Sequence, residues 1–413
     1  MIQFRLKYLI FLLSLHFIFS MSLFAGQPSE RTIKAYFYRD GEPVAIKIAE
    51  EQIVKIDHLP EDAMEPESPK TYIAPGLVEV QINGYMGVDF AGEDLTLDGV
   101  RKATKALWKE GITTYFPTLI SSPHKRLKEN FTVLSNALND SEVGASIPGF
   151  HLEGPYISPE DGYRGAHLKK NVRKPDWDEF MEYQSAANNG IKLITVAPEE
   201  EEAIPFIRKC VERGVVVALG HTAASADVIQ NAADAGASMS THLGNGCANM
   251  IHRHHNPIWP QLADDRLTPS IIVDGHHLTR EEVQSFYKAK GAGNLILVSD
   301  ALDLAGLQPG EYERGGRTLR LTEEVVRFPK IDGLAGAASP ISTCVRNMLE
   351  FTRCSLKEAI QMASTNPARK FDLDDIGEIS QGKRADLILF TMEEGKMVIQ
   401  KTIVAGKVVY SKN

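Results

Sequence analysis

A set of polar residues in this chain recurs at one kind of position, at or just past the end of a candidate strand: Gln81 and Asn83, Glu153, His221, His242, Asp274 and His277, and Asp300. Taken singly, a histidine in such a place is more often a satisfied hydrogen-bonding side chain than a ligand. Taken together, these residues point to one shared mouth. Glu153, His221 and His242 combine one carboxylate with two imidazoles, a set that suits zinc, iron or manganese and leaves a fourth coordination position for water. A cation there brings the acidity of water near neutrality and polarises a carbonyl. Asp300 has the chemistry of a general base that takes the water's proton and hands it, as a general acid, to a leaving amine. Its competing role is the N-cap of a segment starting at Ala301.

For these side chains to meet, the elements before them must be strands of one sheet. Candidates are residues 76–82, 113–118, 147–152, 192–197, 215–220, 238–241, 270–273 and 295–299. Helical patterns separate them, over residues 96–110, 201–213 and 225–235, each followed by a glycine able to take a left-handed C-cap. Eight strands with intervening helices predict an α/β fold of the (β/α)8 type, whose chemistry sits at the C-terminal strand ends. Glu153 falls at such a tip, where Gly154-Pro155 breaks the strand. The charged run Glu199 to Glu202 reads as a solvated helix start, and Gly333 to Ser339 as a tight loop next to the substrate.

The ends of the chain have a different pattern. Residues 32–38, 44–48 and 52–56 are β-rich, as are 385–390, 396–404 and 407–410. Neither group closes a core alone, so the two predict one small β-sandwich built from both termini. The expected organisation is therefore an N-terminal part of the sandwich at 26–73, a catalytic barrel at 74–375 and a C-terminal part at 376–413. Residues 1–25 have the layout of a secretory signal: Arg5 and Lys7, then the apolar run Tyr8 to Phe24. That favours export with no stable membrane anchor after processing; translation from Met21 would instead leave the protein in the cytoplasm.

The 413 residues carry a net charge of −9 and no long basic block, which argues against a nucleic-acid partner and for a small molecule. The four cysteines form no CxxC pair and read as reduced or buried thiols.

The combination APG (Ala74 to Gly76), QING (Gln81 to Gly84), HLEGP (His151 to Pro155), GHTAAS (Gly220 to Ser225), THLGN (Thr241 to Asn245), VDGHHL (Val273 to Leu278), SDA (Ser299 to Ala301) and NPAR (Asn366 to Arg369) resembles the N-acetylglucosamine-6-phosphate deacetylases of the amidohydrolase superfamily. The resemblance implies hydrolysis of the N-acetyl group of an amino sugar, with Glu153, His221 and His242 holding the metal and Asp300 carrying the proton. It also implies substrate contacts from His167, Asn245, Gly246 and His277, and a possible homodimer. Where many amidohydrolases have HxH, this chain has Gln81 and Asn83, so one divalent ion per subunit is expected, zinc first.

One departure concerns the substrate. The resemblance places a phosphate-binding arginine two residues before a proline in the loop after THLxN. Here His255 occupies that slot before Pro257, and Arg253, two positions earlier, is the candidate substrate-binding residue in its place. The cluster His252, His254 and His255 suits an exposed loop face better than a second metal patch. Open alternatives are an unphosphorylated N-acetylamino sugar, another N-acyl or cyclic amide, and a non-catalytic sugar-binding protein on the same scaffold.

Overall fold

Eight short parallel strands organise the molecule. The structure, a computed structural model, describes residues 30–65, 69–314, 316–323, 325–329 and 333–412; the leader read over residues 1–25 lies outside them. The strands are Leu77–Ile82, Ile112–Ile120, Phe150–Glu153, Ile191–Val196, Val216–Leu219, Met239–Ser240, Thr268–Ile271 and Ile296–Leu297, each hydrogen-bonded in parallel to the next. They are referred to below as the first to eighth barrel strands. The third begins at Phe150 rather than Ile147 and takes Glu153 into its last position.

These strands are apolar on both faces because both faces are buried. Inside the barrel, Val78, Val80, Phe116, Leu193, Ala218, Met239, Ile272, Ile296 and Val298 pack as one cluster, with Ala368 and Ile376 in the same cluster. Outside, amphipathic helices cover the strands. Leu97–Lys109 and Ala226–Asp234 begin where Thr96 and Ser225 accept the backbone N–H of Gly99 and Val228. Gly111 and Gly236, at φ +79° and +104°, turn the chain after those helices.

The eighth and first strands share no regular ladder. Their seam is closed instead by individual bonds. Asp300 N–H donates to Gln81 O at 3.0 Å and Asn83 N–H to Ala301 O at 2.9 Å. Below them, the buried Glu79 carboxylate accepts Gln81 N–H at 3.0 Å and Ser299 N–H at 2.8 Å. Asn366 of the NPAR motif donates to Leu295 O and Ala292 O, both at 2.7 Å, while Ser364 Oγ donates to Gly76 O at 2.6 Å. Gly76 and Leu295 immediately precede the first and eighth strands, so this segment clamps the seam from the far end.

The termini combine as expected, in one continuous seven-stranded sheet. Glu30–Phe37, Pro43–Ala49, Gln52–His58 and Thr71–Pro75 join Leu387–Glu393, Lys396–Val404 and Lys407–Ser411. The sheet curls until Gln52 bridges to Arg384, which encloses Ile46, Ile48, Ile53, Leu387 and Phe390. The strand Thr71–Pro75, not among the runs predicted from the sequence, is the hinge of this sheet, pairing with Glu30–Phe37 on one side and Leu387–Glu393 on the other.

Residues 333–339 are not a simple loop. Leu334–Ala337 is the last strand of a four-stranded antiparallel insert with Gly310–Arg314, Arg317–Leu321 and Val325–Arg327. The insert has its own core of Leu302, Leu304, Leu319, Leu321 and Val326. Its last strand runs beside Asp300, through a bridge from Ala301 to Ala337. Among the described residues no helix is long and apolar enough to cross a membrane.

Candidate active site

Glu153, His221 and His242 converge at the mouth. Glu153 Oε1 lies 3.0 Å from His242 Nε2 and 3.3 Å from His221 Nε2, and the two Nε2 atoms are 3.1 Å apart. Ligands about 2.0–2.1 Å from a tetrahedral ion are separated by roughly 3.3 Å, so the three atoms fit one small divalent cation. All three side chains are buried, and they are the one group of this kind among the described residues. His221 Nδ1 lies 3.0 Å from the Tyr163 carbonyl; donating its proton there leaves the Nε2 lone pair facing the cluster.

The charge distribution suits a cation. Burial works against ionisation of Glu153, but the His221 and His242 imidazoles beside it outweigh burial and hold the carboxyl well below its usual range. Burial likewise disfavours protonation of His242, yet Glu153 raises it overall. The backbone is bent sharply at these positions. His221, His242 and Asp300 have φ of 51°, 30° and 51°, left-handed conformations that cost about 1–3 kcal/mol each in residues other than glycine. Each strand thus turns at the residue whose side chain enters the site.

Asp300 is tied into the same cluster. Its Oδ1 accepts Asn83 Nδ2 at 2.6 Å and Gln81 Nε2 at 3.2 Å, and Gln81 Nε2 also lies 2.9 Å from Glu153 Oε1. Burial and the negative charge of Glu153 push the Asp300 carboxyl up to about 6, a value suited to exchanging protons near neutrality. Asp300 does not cap a helix: an extended bridge and a turn follow it. Nearby, Asp274 Oδ2 lies 2.7 Å from His277 Nδ1, while its Oδ1 accepts the N–H groups of His276 and His277. That fixes the orientation of the His277 ring.

His167 returns over the cluster, its ring centre 4.5 Å from that of His221. Ser121 N–H donates to its Nδ1 at 3.3 Å, so the ring proton sits on Nε2. Burial, with His221 adding to it, lowers this imidazole to about 3, leaving a neutral N–H donor. Gly246 is at φ +59°, and a Cβ there would lie 2.8 Å from His221 Nδ1, so glycine is required for packing against the ligand. Asn245 Nδ2 is buried without a hydrogen-bond partner among the described residues.

Arg253 is not drawn into this cluster by any recorded bond. It is exposed, and among the described residues its guanidinium has no hydrogen-bond or ion-pair partner, although its carbonyl accepts Trp259 Nε1. His252, His254 and His255 are also exposed; His252 Nδ1 accepts the N–H of His254 and His255.

The run Glu199 to Glu202 is only partly a solvated helix start. Glu199 bonds Thr222 Oγ1 and accepts Ala223 N–H at 2.6 Å, latching the chain just after His221. Burial pushes its carboxyl upward. Below the site, His151 Nε2 lies 2.8 Å from Thr195 Oγ1, which in turn lies 2.8 Å from Thr241 Oγ1, a polar layer under the ligands. The sequence signal for Glu79 is a lone acid within the fully buried first barrel strand LVEVQI.

A profile of the amidohydrolase family matches residues 72–409. The chain is 32% identical over 326 residues to N-acetylglucosamine-6-phosphate deacetylase of Bacillus subtilis (strain 168), covering 78% of this chain and 81% of that one. It is 30% identical over 344 residues to N-acetylgalactosamine-6-phosphate deacetylase of Escherichia coli O157:H7, covering 83% and 89%. Its fold superposes on the crystal structure of N-acetylglucosamine-6-phosphate deacetylase from Thermotoga maritima with a TM-score of 0.81 at 31% identity, over 92% of this chain and 100% of that one. The chain belongs to the amidohydrolase family and, within it, to the N-acetylglucosamine-6-phosphate deacetylase-like family.

Proposed function

We propose that this protein hydrolyses the acetamido group of an N-acetylhexosamine 6-phosphate, most simply N-acetylglucosamine 6-phosphate, to acetate and the free amino sugar phosphate. The observation that carries this reading is the buried meeting of Glu153, His221 and His242 next to a carboxylate, Asp300, whose proton affinity lies near neutrality. The deacetylase activities of its relatives in Bacillus subtilis and Escherichia coli agree.

Glu153, His221 and His242 would hold one divalent ion, zinc being the expected species. That ion, when bound, supplies Lewis-acid chemistry, acidifying water and polarising the acetyl carbonyl. Asp300 takes the proton from the attacking water and delivers it to the amine as the C–N bond breaks. Asn83 and Gln81 hold the Asp300 oxygen in place for both transfers. His167, neutral with its proton on Nε2, supplies a hydrogen bond to the substrate without adding charge, and His277, fixed by Asp274, contacts the sugar. Asn245 Nδ2 supplies a further donor.

The exposed Arg253 and the histidine at position 255 favour a second reading, an unphosphorylated N-acetylamino sugar. Acetate release separates the two. The metal-loaded protein is assayed against the gluco and galacto forms of N-acetylhexosamine 6-phosphate, the unphosphorylated sugars and an N-acetyl amino acid. Preference for a phosphorylated sugar supports the main reading, preference for the free sugar the second. Release only from the amino acid, or binding without release, refutes both.

A further inference from the structure

Two arginines reach the loop that carries His167, and one of them has no anionic partner among the described residues. Arg164, within that loop, donates from Nη1 to the His167 carbonyl at 2.7 Å and pairs through Nη2 with the exposed Asp161. Arg317 arrives from the four-stranded insert, donating from Nη1 to the Ala166 carbonyl at 3.1 Å, with its guanidinium 5.1 Å from the centre of the Phe328 ring. Arg314, on the neighbouring strand, differs: Asp89 lies 2.8 Å and Asp303 2.5 Å away.

Among the described residues Arg317 has no carboxylate within ion-pair distance, and the Nε groups of both Arg164 and Arg317 are buried without a hydrogen-bond partner. Burial, together with the like charges of Arg314 and Arg164, holds Arg317 below the usual arginine range. A half-buried guanidinium beside like charges costs folding free energy, and an anion that arrives later relieves that cost. Arginine is the residue suited to the task, because its planar fork matches phosphate oxygens.

The location fits the proposed reaction. Ala166 precedes His167, whose ring packs on that of His221, and a Cβ on Gly165 would lie 2.9 Å from His221 Cε1. Arg317 is therefore anchored one residue from a side chain that touches a metal ligand. The 252–255 loop offers only exposed side chains.

We infer that Arg317, with Arg164 beside it, forms the anion subsite that receives the substrate's phosphate, from the chain's own insert rather than from the loop after the sixth strand. This assignment rests on the deacetylase reading for its substrate, while the anion site itself can be tested without turnover.

The test compares full-length, metal-loaded wild type with Arg317→Met. The measured quantity is the ratio of kcat/KM for N-acetylglucosamine 6-phosphate to that for N-acetylglucosamine. A fall of at least about tenfold in this ratio is expected from losing one charge-assisted phosphate contact, with partial recovery in Arg317→Lys. Arg320→Met, which removes an exposed arginine paired with Glu311 on the same strand, should leave the ratio unchanged. Equal loss on both sugars, or no change in the ratio, overturns the assignment. If neither sugar releases acetate, the deacetylase reading fails on its own. Calorimetric binding of inorganic phosphate then decides the subsite: weaker binding by Arg317→Met supports it, and equal or absent binding in both proteins overturns it.

Discussion

The seam between the first and eighth strands makes Glu79→Ala a sharp test of how the site is held. The Glu79 carboxylate accepts two backbone N–H groups, from Gln81 and Ser299, each the neighbour or near neighbour of a site residue. Burial pushes this carboxyl up to about 8 while the two donors pull the other way. Removing it orphans both buried N–H groups at about 1–3 kcal/mol each, or about 2–6 kcal/mol together. At roughly 1 °C per kcal/mol for a chain of this size, the melting temperature should fall by about 2–6 °C. Glu79→Gln keeps one acceptor oxygen but sets an NH2 group against the other backbone donor, so it should recover half of the loss at most. Because Asp300 N–H is bonded to Gln81 O, kcat should fall in Glu79→Ala as well. Thermal unfolding followed by circular dichroism, with kcat measured at 25 °C, checks both. A drop of less than about 2 °C would refute the claim that this carboxylate closes the barrel.

Asp300→Asn should lower kcat by about 10²–10⁴-fold, the range for losing a positioned proton carrier, while metal content by elemental analysis stays at wild type. His221→Ala should lose metal, since one of three converging donors is gone; full retention removes His221 from the ligand set. The pH profile follows from Asp300. A base must be ionised, and this carboxyl is raised to about 6, so kcat/KM should be full above that value and fall as pH drops through it. A cation in the triad favours the carboxylate and moves this limb downward, so a limb centred above about pH 7 contradicts the role given to Asp300.

The barrel was legible because its strands are buried on both faces and each ends at a turn, so short apolar runs such as Leu77–Ile82 stand out from the amphipathic helices between them. The site followed from position: Glu153, His221, His242 and Asp300 all sit one step beyond a strand expected from the sequence. Other parts carried weaker signals. The insert has strands such as GEYER and RTLRL, half in solvent and charged, whose alternation is easily taken for a polar loop. Glu199 looked solvated because its partners, Thr222 and Ala223, are more than twenty residues away. Nothing local marks the left-handed backbone at His221 or Asp300, since that bend is imposed by the strands and loops around it. Arg317 was invisible for the same reason: its significance lies in having no carboxylate partner among the described residues, which only the folded arrangement reveals.

The most direct test of the central claim is acetate release from N-acetylglucosamine 6-phosphate by the same preparation before chelation, after it, and after a divalent ion is restored. Acetate and free amine should appear in equal amounts, cease when the metal is stripped, and return with the ion. Undiminished release from metal-free protein would contradict the role assigned to Glu153, His221 and His242.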